Sequence, residues 1–208
     1  MRSFVFVVPV LAAAMAIAAV PASADSIGPD CGTCQGSIYT LTYSGSPIST
    51  SGSSSTYRIT LTIDTSGYSG PGVRLDTVAI KATSSLSSET LFDAPGGAAA
   101  WFSWRGGLTA NGCSGSGSGF DCAAAKSSGV GVPSGTPYAW TFDLTMPNGT
   151  LFTGAMQSSI KVRYVDSGGV KAGDLVSENI TLQVIPEPAS LALLGSGLLL
   201  VAIGRRRR

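Results

Sequence analysis

The chain has 208 residues, 27 of them glycine, no histidine and a formal net charge of +1. Without histidine, Ser-His-Asp and Cys-His catalysis and the commonest metal ligand are excluded. Arg2 and the four terminal arginines supply the positive balance, and the rest of the chain is mildly acidic and rich in Ser, Thr and Gly, which argues against the basic face that nucleic-acid binding needs.

The first segment is a targeting sequence. Arg2 precedes an apolar stretch over residues 4–20, followed by Pro21-Ala22-Ser23-Ala24. Ala22 and Ala24 form an Ala-x-Ala cleavage site, so residues 1–24 read as a signal peptide and the mature chain starts at Asp25. The apolar region is longer than usual, and an uncleaved anchor is the rival reading. Residues 25–185 then form one exported domain of ordinary size. Its eleven acids against eight bases leave a net charge of −3.

Period-two alternation dominates this region. Tyr39, Leu41 and Tyr43 alternate with Thr40 and Thr42, and Tyr57, Ile59, Leu61 and Ile63 alternate with Arg58, Thr60, Thr62 and Asp64. Val78 and Ile80 precede Lys81. Trp140, Phe142, Leu144 and Met146 alternate with Thr141, Asp143 and Thr145. Ile160, Val162 and Tyr164 flank Lys161 and Arg163, while Ile180, Leu182 and Val184 flank Thr181 and Gln183. Such patterns mark half-buried antiparallel strands. Runs such as Gly70-Pro71-Gly72, Pro147-Asn148-Gly149 and Ser167-Gly168-Gly169 punctuate them as turns. The expected fold is all-β: a single antiparallel β-sandwich, with jelly-roll topology as one variant.

Two stretches interrupt the pattern. Residues 44–55 are nearly all Ser, Gly and Thr, and read as a hairpin or loop. Residues 111–137 make a long Gly/Ser/Pro-rich connection, which in a compact domain is functional, disordered or stapled. Four cysteines, Cys31, Cys34, Cys113 and Cys122, all lie in the exported part and read as two disulfides. Local pairing is favoured, because Cys113–Cys122 would close the Gly/Ser loop at a gain of about 2–3 kcal/mol. Cross-pairing is the alternative. A redox reading of Cys31-Gly32-Thr33-Cys34 lacks the helix it needs. A four-cysteine zinc site conflicts with the oxidising compartment and the unequal spacing.

Catalytic material is sparse. Asp64, Asp76, Asp93, Asp143 and Asp166 sit in turns or on presumed wet strand faces, where carboxylates serve turn chemistry and solubility. No enzyme activity, cofactor or metal is expected. Aromatics offer a binding alternative. Trp140 shares the inward face of Phe142 and Leu144 and reads as core. Trp101-Phe102-Ser103-Trp104 does not alternate cleanly, so Trp101 and Trp104 are the candidates for stacking on a glycan.

The C-terminal tail, residues 186–208, has three parts: Pro186-Glu187-Pro188, an apolar run over residues 189–204, and Arg205-Arg206-Arg207-Arg208. The apolar run would extend about 24 Å as a helix, slightly short of a ~30 Å hydrocarbon core. Arg205, Arg206, Arg207 and Arg208 cannot enter lipid cheaply, so they hold the C-terminus on the cytoplasmic side. Pro186 and Pro188 leave Glu187 in an extended strip suited to processing.

This tail resembles the PEP-CTERM signal of bacterial surface proteins. The resemblance implies recognition and cleavage by exosortase, an integral-membrane enzyme, after a membrane-anchored precursor stage. Residues Gly36-Ser37-Ile38-Tyr39-Thr40-Leu41, Gly112-Cys113 through Phe120-Asp121-Cys122, and Lys161-Val162-Arg163-Tyr164-Val165-Asp166 with Gly173-Asp174-Leu175-Val176-Ser177-Glu178 also resemble a group of small PEP-CTERM surface proteins. Members of the family are associated with exopolysaccharide and biofilm in Gram-negative bacteria. The resemblance therefore implies a cell-surface or matrix role, and the sparse catalytic residues make a non-catalytic protein the first reading. A β-sandwich carbohydrate-binding module is the alternative.

Overall fold

A computed structural model describes residues 26–43, 45–82, 86–114, 119–148 and 156–184. The signal segment, with Ala22 and Ala24, and the tail, with Pro186, Glu187, Pro188 and the four arginines, lie outside the described residues.

Fourteen strands run through the described residues, with one 3-10 turn at Ala98–Ala100 and no α-helix. In chain order they are β1 (Ser26–Ile27), β2 (Ile38–Tyr43), β3 (Ser49–Ser51), β4 (Ser54–Asp64) and β5 (Arg74–Lys81). Then come β6 (Ser88–Asp93), β7 (Trp101–Arg105), β8 (Gly107–Thr109), β9 (Gly112–Ser114) and β10 (Asp121–Ala125). The last four are β11 (Val130–Gly131), β12 (Tyr138–Pro147), β13 (Met156–Val165) and β14 (Val176–Val184).

Strand order is β6-β12-β4-β2 in one layer and β14-β13-β5-β10-β7 in the other. The path is antiparallel except where β14 meets β2 in parallel, Gln183 opposite Thr42 and Val184 opposite Tyr43. That pair joins the layers, and within each layer the strands run antiparallel as expected. The arrangement is sandwich-like because both inner faces feed one core. Tyr39, Leu41, Ile59, Leu61, Trp140 and Phe142 from the first layer and Val78, Ile80, Ile160, Val162 and Tyr164 from the second are fully buried. Each such side chain contributes roughly 1.5–3 kcal/mol by leaving water.

The alternation read from sequence sets this core directly. In β4, every second residue from Ser55 to Ile63 is buried. In β12, Trp140, Phe142, Leu144 and Met146 point inward and Thr141, Asp143 and Thr145 outward. Within the Ser/Gly/Thr-rich stretch, residues 49–56 form a hairpin, with β3 paired to β4.

The long 111–137 connection departs most from expectation. It holds β9, β10 and β11, and β10 is a central strand between β5 and β7. Its sequence, Asp-Cys-Ala-Ala-Ala, shows no large apolar residue. Both faces of β10 are covered: Ala123 joins the main core, and Cys122 lies under the β8–β9 hairpin with Ala79, Leu108 and Phe120. A strand packed this closely on both sides takes small side chains, so it lacks the usual alternating signature.

Both disulfides are local, Cys31–Cys34 and Cys113–Cys122. The N-terminal loop nevertheless belongs to the sandwich. Cys34 is fully buried, the Tyr39 hydroxyl lies 2.9 Å from that of Tyr164, and Ser37 Oγ lies 2.8 Å from the same Tyr164 oxygen. Burial pushes the Tyr164 phenol up to about 12, so this hydroxyl cluster stays neutral. Gly36 makes the close approach possible. Its φ is +83°, and a Cβ there would lie 2.1 Å from the Gly67 carbonyl oxygen.

Candidate functional site

Strand β7 decides which aromatics face solvent. Its residues pair with β10, Trp104 opposite Cys122, Phe102 opposite Ala124 and Trp101 opposite Ala125. Trp101 therefore points inward. It is 4% exposed, packs edge-on at 87° against Trp140 with centroids 5.3 Å apart, and donates its indole N–H to the Pro95 carbonyl. This corrects the expectation that Trp101 offers a stacking surface. Its edge floors a cleft of about 360 Å³ that Pro95, Gly96, Ser127 and Tyr138 also line.

Trp104 and Phe102 share the outward face. Phe102 is 54% exposed, Trp104 is half-buried, and their rings meet at 6.4 Å and 62°. The Lys126 ammonium lies 5.0 Å from the Phe102 centroid, within cation–π range. Sequence reasoning passed over Phe102 in favour of its larger neighbours. The signal was nonetheless present, since residues two apart on a strand share a face.

Beside this pair, the β8–β9 hairpin lies on the same outer face. The Cys113–Cys122 bridge ties it to β10, and Leu108 and Phe120 fill the space beneath. Two further cations approach the Phe120 ring, Lys161 at 4.9 Å and Lys81 at 5.9 Å. Arg163 forms an ion pair with Asp76 through Nε and Nη2, and donates Nη1–H to the Ala110 carbonyl at the hairpin tip. Ala110, Asn111, Arg163 and Lys171 line an open cavity of about 520 Å³ there.

A second cluster lies between the end strands β6 and β7. Glu89 Oε2 accepts a 2.8 Å hydrogen bond from Ser103 Oγ, linking the two layers at that edge. Asp121, 1% exposed, lies nearby with its Oδ1 lacking a hydrogen-bond partner. Burial, then the Glu89 charge, pushes the Asp121 carboxyl up to about 7, and Arg105 only partly offsets this. Burial also raises Glu89, against the pull of Ser103 and Arg105. Two acids that cannot readily ionise together make a proton-sensitive seam. Sequence reading missed it, because Asp121 sits in a strand without visible periodicity.

The carboxylates singled out from sequence are structural. Asp64 and Asp166 accept turn N–H groups from Ser66 and Gly168, and Asp93 accepts from Ala94. Asp143 binds Arg58 bidentately at 2.8 Å, and Asp76 binds Arg163. Cys31, Cys34, Cys113 and Cys122 are all bridged. Among the described residues, no three Asp, Glu, Cys or His side chains cluster to hold a metal, and no helix is long and apolar enough to cross a membrane.

Residues 184–208 match the PEP-CTERM protein-sorting motif. That motif is the recognition signal for exosortase and marks the chain as exported and processed at the membrane. No curated protein sequence matches the chain. Among solved structures, it is similar to a Corynebacterium diphtheriae protein described as membrane anchored, at 15% identity and a TM-score of 0.38. That likeness covers 79% of this chain and 38% of the other. The major pilin subunit BcpA of Bacillus cereus, as its D312A variant, matches at 9% identity and a TM-score of 0.28, over 70% and 40% of the two chains. The chain thus spans under half the length of either protein.

Proposed function

We propose that this protein is a non-catalytic component of the cell surface or extracellular matrix, delivered by exosortase and associated with exopolysaccharide in biofilm. The observation that carries this reading is the sorting motif over residues 184–208 behind a disulfide-stapled β domain. Residues 1–24 are removed on export and residues 25–185 are the delivered domain. The tail over 186–208 holds the precursor in the inner membrane until cleavage near Pro186-Glu187-Pro188. The absence of histidine and the engagement of Asp64, Asp76, Asp93, Asp143 and Asp166 in turns and ion pairs support a domain that binds or packs.

The test is intact mass and fractionation of the protein recovered from the exporting cell. A mature form that lacks Arg205, Arg206, Arg207 and Arg208 and co-fractionates with exopolysaccharide is expected. Recovery of the tailed form as the sole surface species would refute the delivery route.

A second reading, a carbohydrate-binding module, is favoured by one observation. Phe102 and Trp104 form an outward aromatic pair on a strand edge, and aromatic faces stack on the apolar face of a sugar ring. Trp104 is retained from the sequence reading, and Phe102 takes the place of Trp101.

A further inference from the structure

The outer faces of the two layers differ in charge. On the second layer, Lys81, Lys126, Lys161 and Arg163 face outward or flank the hairpin, and Asp76 is the carboxylate among them. The two ion pairs among the described residues, Arg58–Asp143 and Arg163–Asp76, leave the three lysines out. Half of the exported domain's eight bases thus gather on one face of a domain whose net charge is −3. Clustering against the overall charge creates a local positive potential that a polyanion senses from about a Debye length away.

We propose that this face docks an anionic polysaccharide of the uronic-acid type, a deepening that rests on the exopolysaccharide reading above. Charge complementarity selects the carboxylated polymer, and Phe102 with Trp104 supplies apolar ring surface beside Lys126. The disulfide holds the hairpin beside Phe120, whose ring Lys81 and Lys161 approach from β5 and β13. Such a site offers a repeating anion two cationic stations, Lys81 with Lys161 at Phe120 and Lys126 at Phe102. Nucleic acid fits less well, since three unpaired lysines on an acidic domain neutralise few phosphates.

The experiment uses the protein recovered from the exporting cell. Its binding to polygalacturonate, neutral dextran, duplex DNA and the cell's own exopolysaccharide is compared at low and high salt. Binding to polygalacturonate over dextran is expected, weakened by salt and by about tenfold or more in the K81Q/K126Q/K161Q variant. R58Q, on the opposite face, should bind as the parent does, and matching circular dichroism spectra exclude misfolding. Binding should also perturb tryptophan emission in the parent and not in W104F. Equal binding to dextran, or indifference to the three lysines, overturns the proposal while leaving the exopolysaccharide reading intact. Retention on the native exopolysaccharide alone does the same. Preference for DNA overturns it in favour of a nucleic-acid partner. Failure to bind any glycan, the native one included, removes both readings.

Discussion

The two outer faces of this domain share one periodicity and differ in what occupies it. On the first layer the outward positions are threonines in cross-strand ranks, with Thr56 and Thr145 hydroxyls 2.9 Å apart and those of Thr60 and Thr141 3.1 Å apart. Its charges cancel locally. Arg58 grips Asp143 and stacks over Phe92 at 3.3 Å, and the carboxylate holds the guanidinium above its ordinary value. On the second layer a disulfide-tied hairpin covers the centre, unpaired lysines surround it and an aromatic pair lies beside it. A face whose polar groups satisfy one another has little left for a partner. A face whose three lysines have no carboxylate partner among the described residues has more. Hydrophobic alternation alone cannot distinguish the two, because it reports only which side is buried.

Both faces share one core, and the largest expected effect tests that. Trp140 is fully buried and touches Trp101 of the opposite layer. Trp140→Ala should cost about 3–5 kcal/mol in chemical denaturation, with both layers lost in one transition. Two separate transitions would mean that the faces belong to independent units.

Next is the proton seam. The Asp121 carboxyl is raised from 3.8 to about 7 by burial, so the folded state holds a proton that the unfolded chain releases. Its stabilising effect is complete below pH 4 and is lost as pH rises towards 7. Asp121→Asn should remove this dependence and raise stability at pH 8 by up to about 4 kcal/mol. Thermal unfolding at pH 5 and pH 8 measures it, and an unchanged pH slope would show that another group carries it.

The hairpin comes third. Cys113→Ser should cost about 2–3 kcal/mol and speed hydrogen exchange at Gly107–Thr109 and Gly112–Ser114, while amides of the first layer keep their protection. Equal loosening of β4 and β12 would contradict the view of the staple as a local device.

The smallest effect falls on the threonine face. Arg58→Gln removes an ion pair whose arginine side chain is 34% exposed, and should cost no more than about 1 kcal/mol. A larger loss would mean that the stacking on Phe92, rather than the charge, holds that edge.

Much of the fold is legible in the sequence. The strands with alternating Tyr, Ile and Leu appear where the pattern placed them, because period two is a local property of an extended chain. The cysteine spacing suggested local bridges, and both formed. What escaped notice was β10, whose Ala and Cys carry no amphipathic signal because both of its faces are covered. With it went Asp121, a carboxylate whose burial depends on strands distant in sequence. Trp101 and Phe102 were exchanged for a similar reason. Size and residue type nominated Trp101, while the register against β10 turned it inward.

By itself the sequence determined the sorting tail, the all-β class, the inward residues of the long strands and the disulfide-rich exported character. These rest on composition and short-range spacing, which need no knowledge of neighbours. Only the tertiary structure decided the parallel join of β2 with β14, the placement of the hairpin on one outer face and the gathering of lysines around Phe120. It also decided the seam of Glu89, Asp121 and Arg105. Each brings together residues far apart in the chain, and their meeting depends on which strands pair and in what register.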